Sequence, residues 1–261
     1  MAQIGPKLRA VIRTGAILAY AAPLFAVQAL VAGPVFRDYE RVPRLLKRGM
    51  HKMMGISVVF NHAAADIEKP TLYAVNHMSY LDIVVLGAHI PGAFVAKKDV
   101  RKWPVVGLAA AAVNTIFTER RVGTLRRDQR KIVETLNSGR SVILFPEGTT
   151  TDGAGLPFKG GLLCTPFKNV SRVKLDQDIP IRPVSMFVTH VDGRSTAQQP
   201  ELRRIFAWVG GENIAQHFWR LAQTGTMQLE ITVHEPFDPR DYPNRRAFVK
   251  AVEDKVTRCQ S

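Results

Sequence analysis

Beyond residue 50, short apolar runs alternate with longer stretches whose apolar residues recur at helical spacing. The β-branched runs predict strands at 56–60, 71–75, 92–96, 114–118, 141–145, 179–188 and 227–234. Helical spacing predicts helices at 80–90, 103–113, 124–140 and 244–259, and one or two helices within 201–223. Strands that alternate with helices predict an α/β fold, in which a mixed, largely parallel sheet is covered by helices in a single domain.

The N-terminal region departs from this pattern. From Gly15 to Phe36 the chain carries no charged residue, and basic residues flank that stretch on both sides. About twenty apolar residues are enough for a helix to cross the hydrocarbon layer, so we expect an N-terminal hydrophobic membrane-anchoring helical segment. A cleaved signal peptide and a buried core helix are the alternatives. Because Pro23 and Pro34 kink or end helices, a segment lying in one leaflet is as plausible as a full span.

The net charge of the chain indicates which classes of partner it is suited to bind. Lys and Arg number 36 against 22 Asp and Glu, which gives a formal charge of +14. Nucleic acid, anionic lipid and phosphorylated or acidic substrates all suit such a chain. The two cysteines, Cys164 and Cys259, lie far apart and outside any His-rich stretch, which argues against a disulfide framework and a zinc site.

The motif AVNHMSYLD at 74–82 places His77 at the predicted end of a strand and Asp82 at the start of a helix. Ser79 followed by Asp82 has the spacing of a capping box. A carboxylate in the first helical turn also reaches an imidazole at the strand end and fixes the tautomer that accepts a proton. Spacing alone supports the cap and the catalytic pair equally.

A second polar cluster, ILFPEGTTTDGAG, occupies 143–155 and sets Glu147, Gly148 and three threonines after a buried strand. If this cluster is considered alone, a strand-to-loop turn that carries polar side chains is enough to explain it. A phosphate-binding loop is rejected because Ala154 stands where that motif needs Lys. The chain also lacks the short motifs of serine hydrolases, zinc proteases and dinucleotide enzymes.

A basic stretch lies between the two clusters and includes Lys98 and Arg120. Most basic residues in such a stretch form a solvated face. Arg120, however, comes directly after a short predicted strand, where its guanidinium is suited to grip a phosphate with two hydrogen bonds.

Taken in order, four blocks within 76–184 resemble the glycerolipid acyltransferase superfamily, which includes the 1-acylglycerol-3-phosphate O-acyltransferases and lysophospholipid acyltransferases. The blocks read NHMSYLD, AKKDVRKWPVVG with IFTER, FPEGTT, and IPIRPV. The resemblance implies that His77 is the general base and Asp82 its partner. It also implies that Glu147, Gly148 and Thr149 help to place the acceptor, and that Lys98 and Arg120 bind its phosphate.

One position departs from the family pattern. The phosphatidic-acid-forming branch has Arg after E-G-T, whereas this chain has Thr150. Losing a charge-assisted bond to phosphate costs about 1.5–3 kcal/mol unless another cation replaces the arginine. The block therefore resembles that of enzymes that act on headgroup-bearing lysophospholipids or on lyso-ornithine lipids. Thr150 is also predicted to contact the acceptor, in place of the arginine of the phosphatidic-acid-forming branch.

The resemblance predicts an O-acyltransferase of phospholipid biosynthesis, with neither cofactor nor metal. It would move a fatty acyl chain from acyl-CoA or acyl carrier protein to the free hydroxyl of a lysolipid, namely 1-acylglycerol-3-phosphate or a related lysophospholipid. Residues 1–50 would form the membrane anchor and basic linker, and 51–261 the acyltransferase domain. We expect membrane association, at an inner membrane with the catalytic domain on the cytoplasmic side, and no nucleic-acid partner. The first alternative is a lyso-ornithine lipid acyltransferase, followed by a thioesterase and a non-catalytic basic membrane protein.

Overall fold

The fold is seen in a computed structural model. The structure describes residues 4–32, 35–36, 40–62, 70–103, 107, 110–111, 113, 115–119, 123–153, 155–166, 175–176 and 178–257. The predicted helix at 103–113 and the loop at 63–69 lie largely outside these residues, as do Pro34, Arg120 and Cys259.

Within the described residues, eight strands form one mixed sheet with the order β1-β8-β6-β2-β5-β3-β4, and β7 pairs with β6 at the side. The neighbouring pairs are parallel, except that β6 runs antiparallel to both β8 and β7. The strand bounds are β1 Ile56–His62, β2 Leu72–Val75, β3 Ala93–Lys97, β4 Ile116–Thr118, β5 Val142–Leu144, β6 Ile181–Val191, β7 Arg194–Ser195 and β8 Met227–Val233.

The helices cover both faces of the sheet. Their bounds are α1 Pro6–Val27, α2 Arg41–Met53, α3 Asp82–His89, α4 Leu125–Asn137, α5 Gly160–Leu163, α6 Arg203–Phe206, α7 Ile214–Gln223 and α8 Arg245–Thr257, with short 3₁₀ turns at Lys98–Lys102, Pro200–Leu202 and Pro239–Asp241. The predicted fold class is therefore confirmed. The pattern at 201–223 resolves into two helices, and β7 is a short strand that the sequence pattern did not predict.

Strand β2 shows why the sheet is covered on both sides. Tyr73 and Val75 are fully buried in one hydrophobic cluster, and Leu72 and Ala74 are fully buried in another. Successive side chains of a strand point to opposite faces, so an unbroken apolar run requires a packed layer on each side. Residues from α1, α3 and α7 belong to the first cluster, and residues from α4 and α8 to the second.

Helix α1 is fastened to this domain through its N-terminal half. Arg9 Nη1 donates to Gln223 O at 3.0 Å and Arg13 Nη2 donates to Gly225 O at 2.6 Å, and these carbonyls lie at and just beyond the end of α7. Ala10 and Ile17 are buried against the domain. The helix continues through Pro23 to Val27 and then widens into a π-helical turn at Gln28–Ala32.

The opposite side of α1 is apolar and exposed at Leu8, Val11 and Leu18. In the described part of the chain, one helical stretch, Pro6–Leu30, is long and apolar enough to cross a membrane. That property alone is weak support for membrane association. The predicted domain boundary at residue 50 falls inside α2, which packs against α3, and the division at that residue stays a prediction.

Candidate active site

The candidate site lies where β2 and β5 end. These strands are parallel neighbours, with Leu72 paired to Val142 and Ala74 to Leu144, so the loops that follow them emerge at the same edge of the sheet. We call residues 76–81 the histidine loop and residues 146–153 the glutamate loop. Hydrogen bonds join these loops: His77 N–H donates to Glu147 Oε1 at 3.0 Å, and His77 O accepts the Thr151 N–H at 2.8 Å and the Thr151 hydroxyl at 3.3 Å.

His77 and Asp82 are in direct contact. Nδ1 of His77 lies 2.7 Å from Asp82 Oδ2. The same oxygen accepts the backbone N–H of Met78 at 2.7 Å and that of Ser79 at 3.0 Å. The Asp82 side chain is fully buried, whereas that of His77 keeps 17% of its surface exposed. A buried carboxylate with three donors holds the imidazole by Nδ1 and leaves Nε2 as the ring nitrogen for a substrate.

The capping prediction for Ser79 needs correction. Helix α3 begins at Asp82 with Leu81 at the N-cap, and its end has no side-chain cap bond. The Ser79 hydroxyl instead accepts the N–H of Leu81 in a long 3.4 Å contact. One half of the predicted capping box does exist, because the Asp82 carboxylate accepts the Ser79 N–H. Asp82 thus organises the backbone of the histidine loop and holds the imidazole with the same oxygen.

Packing fixes the ring of His77. Its imidazole stacks on Phe145 with ring centroids 4.0 Å apart and planes 13° apart. The preceding residue, Asn76, is buried and bonds both ways to β6: its Nδ2 donates to Met186 O and its Oδ1 accepts Met186 N–H, each at 2.8 Å. His77 therefore follows directly after a residue that is anchored to β6 by two hydrogen bonds.

Glu147 has an unusual protonation equilibrium. Only 1% of its surface is exposed, and burial raises the pKa of its carboxyl to about 7. The His77 N–H and the Thr151 hydroxyl offset part of that rise. Gly148, at φ 79°, makes the turn that follows. Glu147 and Thr151 thus both link the glutamate loop to the histidine loop.

The predicted acceptor-contacting residues occupy different surroundings. Thr149 is exposed, and Thr150 is half-buried with its hydroxyl donating to Trp208 O. Lys98, with 60% of its side chain exposed, lies 2.8 Å from Glu119, which also pairs with Arg127 at 2.8 Å. Those two partners lower the pKa of the Glu119 carboxyl. The structure thus gathers His77, Asp82, Glu147 and Thr150 and leaves Lys98 in a surface ion network; Arg120 lies outside the described residues.

The sequence pattern did not single out Trp208. Its backbone N–H donates to Met78 O at 2.8 Å, and its indole meets the ring of Tyr80 edge-on with centroids 5.8 Å apart. Tyr80 in turn hydrogen-bonds buried His217 at 3.2 Å. Trp208 lies between α6 and α7, within a stretch whose apolar spacing predicts helix, so the sequence held no local signal for its contact with the histidine loop.

Residues 36–187 match the family model described as Acyltransferase. The chain belongs to this acyltransferase family. It is therefore an acyltransferase, as the four motif blocks predict, and His77, Asp82, Glu147 and Thr150 all lie within the matched region.

Several similar proteins are named for lysolipid substrates. The chain is 32% identical to the lyso-ornithine lipid O-acyltransferase of Brucella abortus over 189 residues, covering 72% of this chain and 70% of the relative. It is 28% identical to the enzyme of the same name from Rhizobium meliloti over 240 residues, covering 91% and 81%. The 1-acyl-sn-glycerol-3-phosphate acyltransferase of Neisseria meningitidis is 28% identical over 216 residues, covering 81% and 77%.

A solved structure shares the fold. The 1-acyl-sn-glycerophosphate (LPA) acyltransferase PlsC from Thermotoga maritima superposes with a TM-score of 0.61 and 22% identity, covering 96% of this chain and 95% of that one. At this identity the similarity concerns the arrangement of the sheet and helices.

Proposed function

We propose that this acyltransferase moves a fatty acyl group from a thioester donor, acyl-CoA or acyl carrier protein, to the free hydroxyl of a lysolipid, with His77 as general base. The observation that carries the proposal is the 2.7 Å contact between His77 Nδ1 and buried Asp82 at the carboxyl end of β2. The arrangement holds the imidazole in one tautomer with Nε2 available to an alcohol.

In the proposed reaction, Nε2 takes the proton of the acceptor hydroxyl as its oxygen attacks the thioester carbonyl. Asp82 stabilises the imidazolium that forms. The tetrahedral intermediate then collapses, the carbon–sulfur bond breaks, and the thiolate leaves as the ester forms. A thiol has a pKa near 8.5 and needs little protonation to leave, so His77 can return its proton to the thiolate or to solvent. A positioned base contributes about 10²–10⁴ in rate.

The acceptor we favour is a lyso-ornithine lipid. Relatives of that name from Brucella abortus and Rhizobium meliloti align over most of this chain, and Thr150 replaces the arginine of the phosphatidic-acid-forming branch. The relative from Neisseria meningitidis, named for 1-acylglycerol-3-phosphate, supports that lipid as the second candidate.

We further propose that the enzyme works at a membrane surface, on the cytoplasmic side of an inner membrane. The N-terminal half of α1 is bonded to the domain through Arg9 and Arg13, while Leu8, Val11 and Leu18 face outward. A helix held along the domain with one apolar side exposed suits burial in one leaflet. The surplus of basic residues suits anionic lipid and acidic acyl donors.

The test is an assay of purified full-length protein in mixed micelles with labelled acyl-CoA or acyl carrier protein. The acceptors are lyso-ornithine lipid, 1-acylglycerol-3-phosphate and lysophospholipids with larger headgroups, and products are separated and identified. We expect diacylated product with lyso-ornithine lipid, formed at least about a hundredfold more slowly by the His77→Ala variant. Release of free fatty acid at the same rate with and without every acceptor would instead indicate a thioesterase.

A further inference from the structure

A segment far along the chain closes one side of the site. Residues 207–213, the connecting segment, join α6 to α7. Trp208 N–H donates to Met78 O at 2.8 Å in the histidine loop, and Trp208 O accepts the hydroxyl of Thr150 in the glutamate loop. The backbone of Trp208 therefore links the histidine loop and the glutamate loop to the connecting segment.

Aromatic packing keeps this segment in place. The Trp208 indole contacts Tyr80 edge-on at 5.8 Å and Trp103 edge-on at 5.9 Å between centroids. Its Nε1 donates to Glu212 O at 2.7 Å within the segment. Edge-to-face aromatic pairs contribute beyond their buried area, so the short helix α6 that precedes Trp208 is held against the loops.

Helix α6 brings two successive arginines to this place, in different surroundings. Arg204 is 72% exposed and lies 3.3 Å from Asp152. Arg203 is half-buried, and its stem lies along the glutamate loop: a β-carbon on Gly153 would stand 3.8 Å from Arg203 Cδ and 3.6 Å from Met78 Cε. Arg203 Cδ and Met78 Cε thus both lie close to Gly153, where the glutamate loop meets the histidine loop.

We propose that Arg203 binds the anionic group of the acceptor, a phosphate or a carboxylate, and that Trp208 positions it; this inference rests on the proposed function. The hydroxyl group and the anionic headgroup of a lysolipid are only a few bonds apart, so an anion site beside Met78 suits an acceptor whose hydroxyl is at His77 Nε2. A half-buried guanidinium grips either anion with two parallel hydrogen bonds. The Thr150 hydroxyl, which stands where the related branch has arginine, donates a hydrogen bond to Trp208 O, and in this proposal Arg203 supplies the cation instead.

The test compares Arg203→Gln with Arg204→Gln, the neighbouring arginine as matched control. Four acceptors are used: lyso-ornithine lipid, its carboxyl methyl ester, 1-acylglycerol-3-phosphate and uncharged 1-acylglycerol. For Arg203→Gln we expect kcat/KM to fall about ten- to a hundredfold on acceptors whose anion is bound, mainly through KM, with uncharged 1-acylglycerol unchanged. Arg204→Gln should stay within about twofold of wild type on every acceptor because its ion pair is exposed.

The acceptors separate the two anions. A loss with lyso-ornithine lipid but not its methyl ester assigns the carboxylate, and a loss with 1-acylglycerol-3-phosphate assigns the phosphate. Arg203→Lys, which keeps the charge without the planar fork, should recover part of the loss and serves as the deciding variant if Arg203→Gln fails to fold by circular dichroism. Equal losses on charged and uncharged acceptors, or equal losses in both arginine variants, overturn the proposal. A wild-type enzyme that acylates no lysolipid overturns the proposed function itself.

Discussion

Replacing Asp82 by Asn removes the negative charge beside the imidazole and keeps the size of the side chain. The carboxylate oxygen that binds His77 Nδ1 at 2.7 Å also accepts the N–H groups of Met78 and Ser79 at 2.7 and 3.0 Å. An amide oxygen in the same place still accepts all three hydrogen bonds. The histidine loop should therefore keep its shape, and the variant isolates the contribution of the negative charge.

The negative charge of Asp82 stabilises His77 most strongly when the imidazole becomes charged in the transition state. Two unit charges about 4 Å apart interact by about 4 kcal/mol at an effective dielectric constant near 20. The His77–Asp82 contact is shorter than that, and Asp82 is fully buried, so losing the charge should raise the barrier by about 3–5 kcal/mol. Since about 1.4 kcal/mol corresponds to a tenfold change in rate, we expect kcat to fall by at least about a hundredfold.

The assay follows thiol release from acyl-CoA at saturating lysolipid, with folding checked by thermal unfolding. Ser79→Ala is the control from the same loop: it removes only the long 3.4 Å bond to Leu81 N–H and should keep kcat within about threefold of wild type. More than a tenth of wild-type kcat in folded Asp82→Asn would refute the base–carboxylate mechanism and leave Asp82 as an organiser of the loop.

Three further predictions concern the same loops. His77→Ala should lose at least about a hundredfold in kcat in the same assay while the melting profile stays cooperative, because only the base is removed. Burial raises the Glu147 pKa from 4.5 to about 7. The cost of burying this carboxyl is therefore absent below pH 4.5, where it is protonated in both the folded and the unfolded state, and complete above about pH 7. The free energy of unfolding should fall between these two pH values. Glu147→Gln should remove a fall in stability of about 3 kcal/mol across that window, measured by urea unfolding at pH 4.5 and 8; an unchanged pH dependence contradicts this. Thr150→Val should lower the unfolding free energy by about 1 kcal/mol through loss of the bond to Trp208 O, and an unaltered urea midpoint argues against that bond.

Local pattern alone identified most elements of the sheet and its helices. Short apolar runs at 56–60, 71–75 and 227–234 became β1, β2 and β8 because their side chains fit a pleated, buried surface. The amphipathic stretch after Gly123 became α4, which ends at Asn137 with Ser138 as its C-cap, before Gly139 at φ 83°. Spacing also indicated that His77 and Asp82 could meet, since five residues separate them across a strand end and a helix start.

The relation between His77 and Glu147 was settled by sheet order. Seventy positions separate them, and they meet only because β2 and β5 are parallel neighbours. Strand order follows from which apolar faces pack best, a property of the whole core and not of either motif. The reversed direction of β8 and β1 relative to β6 is likewise decided by tertiary packing.

The contacts of Trp208 and Arg203 depended entirely on the tertiary structure. Their stretch has helical apolar spacing, and nothing in that spacing distinguishes a side chain on the solvent face from one beside a catalytic loop. What places them is a backbone bond from Trp208 to Met78 across 130 positions and the closeness of Arg203 to Gly153. Such long-range contacts form when the fold brings buried polar groups within hydrogen-bonding reach of each other, which no local residue pattern encodes.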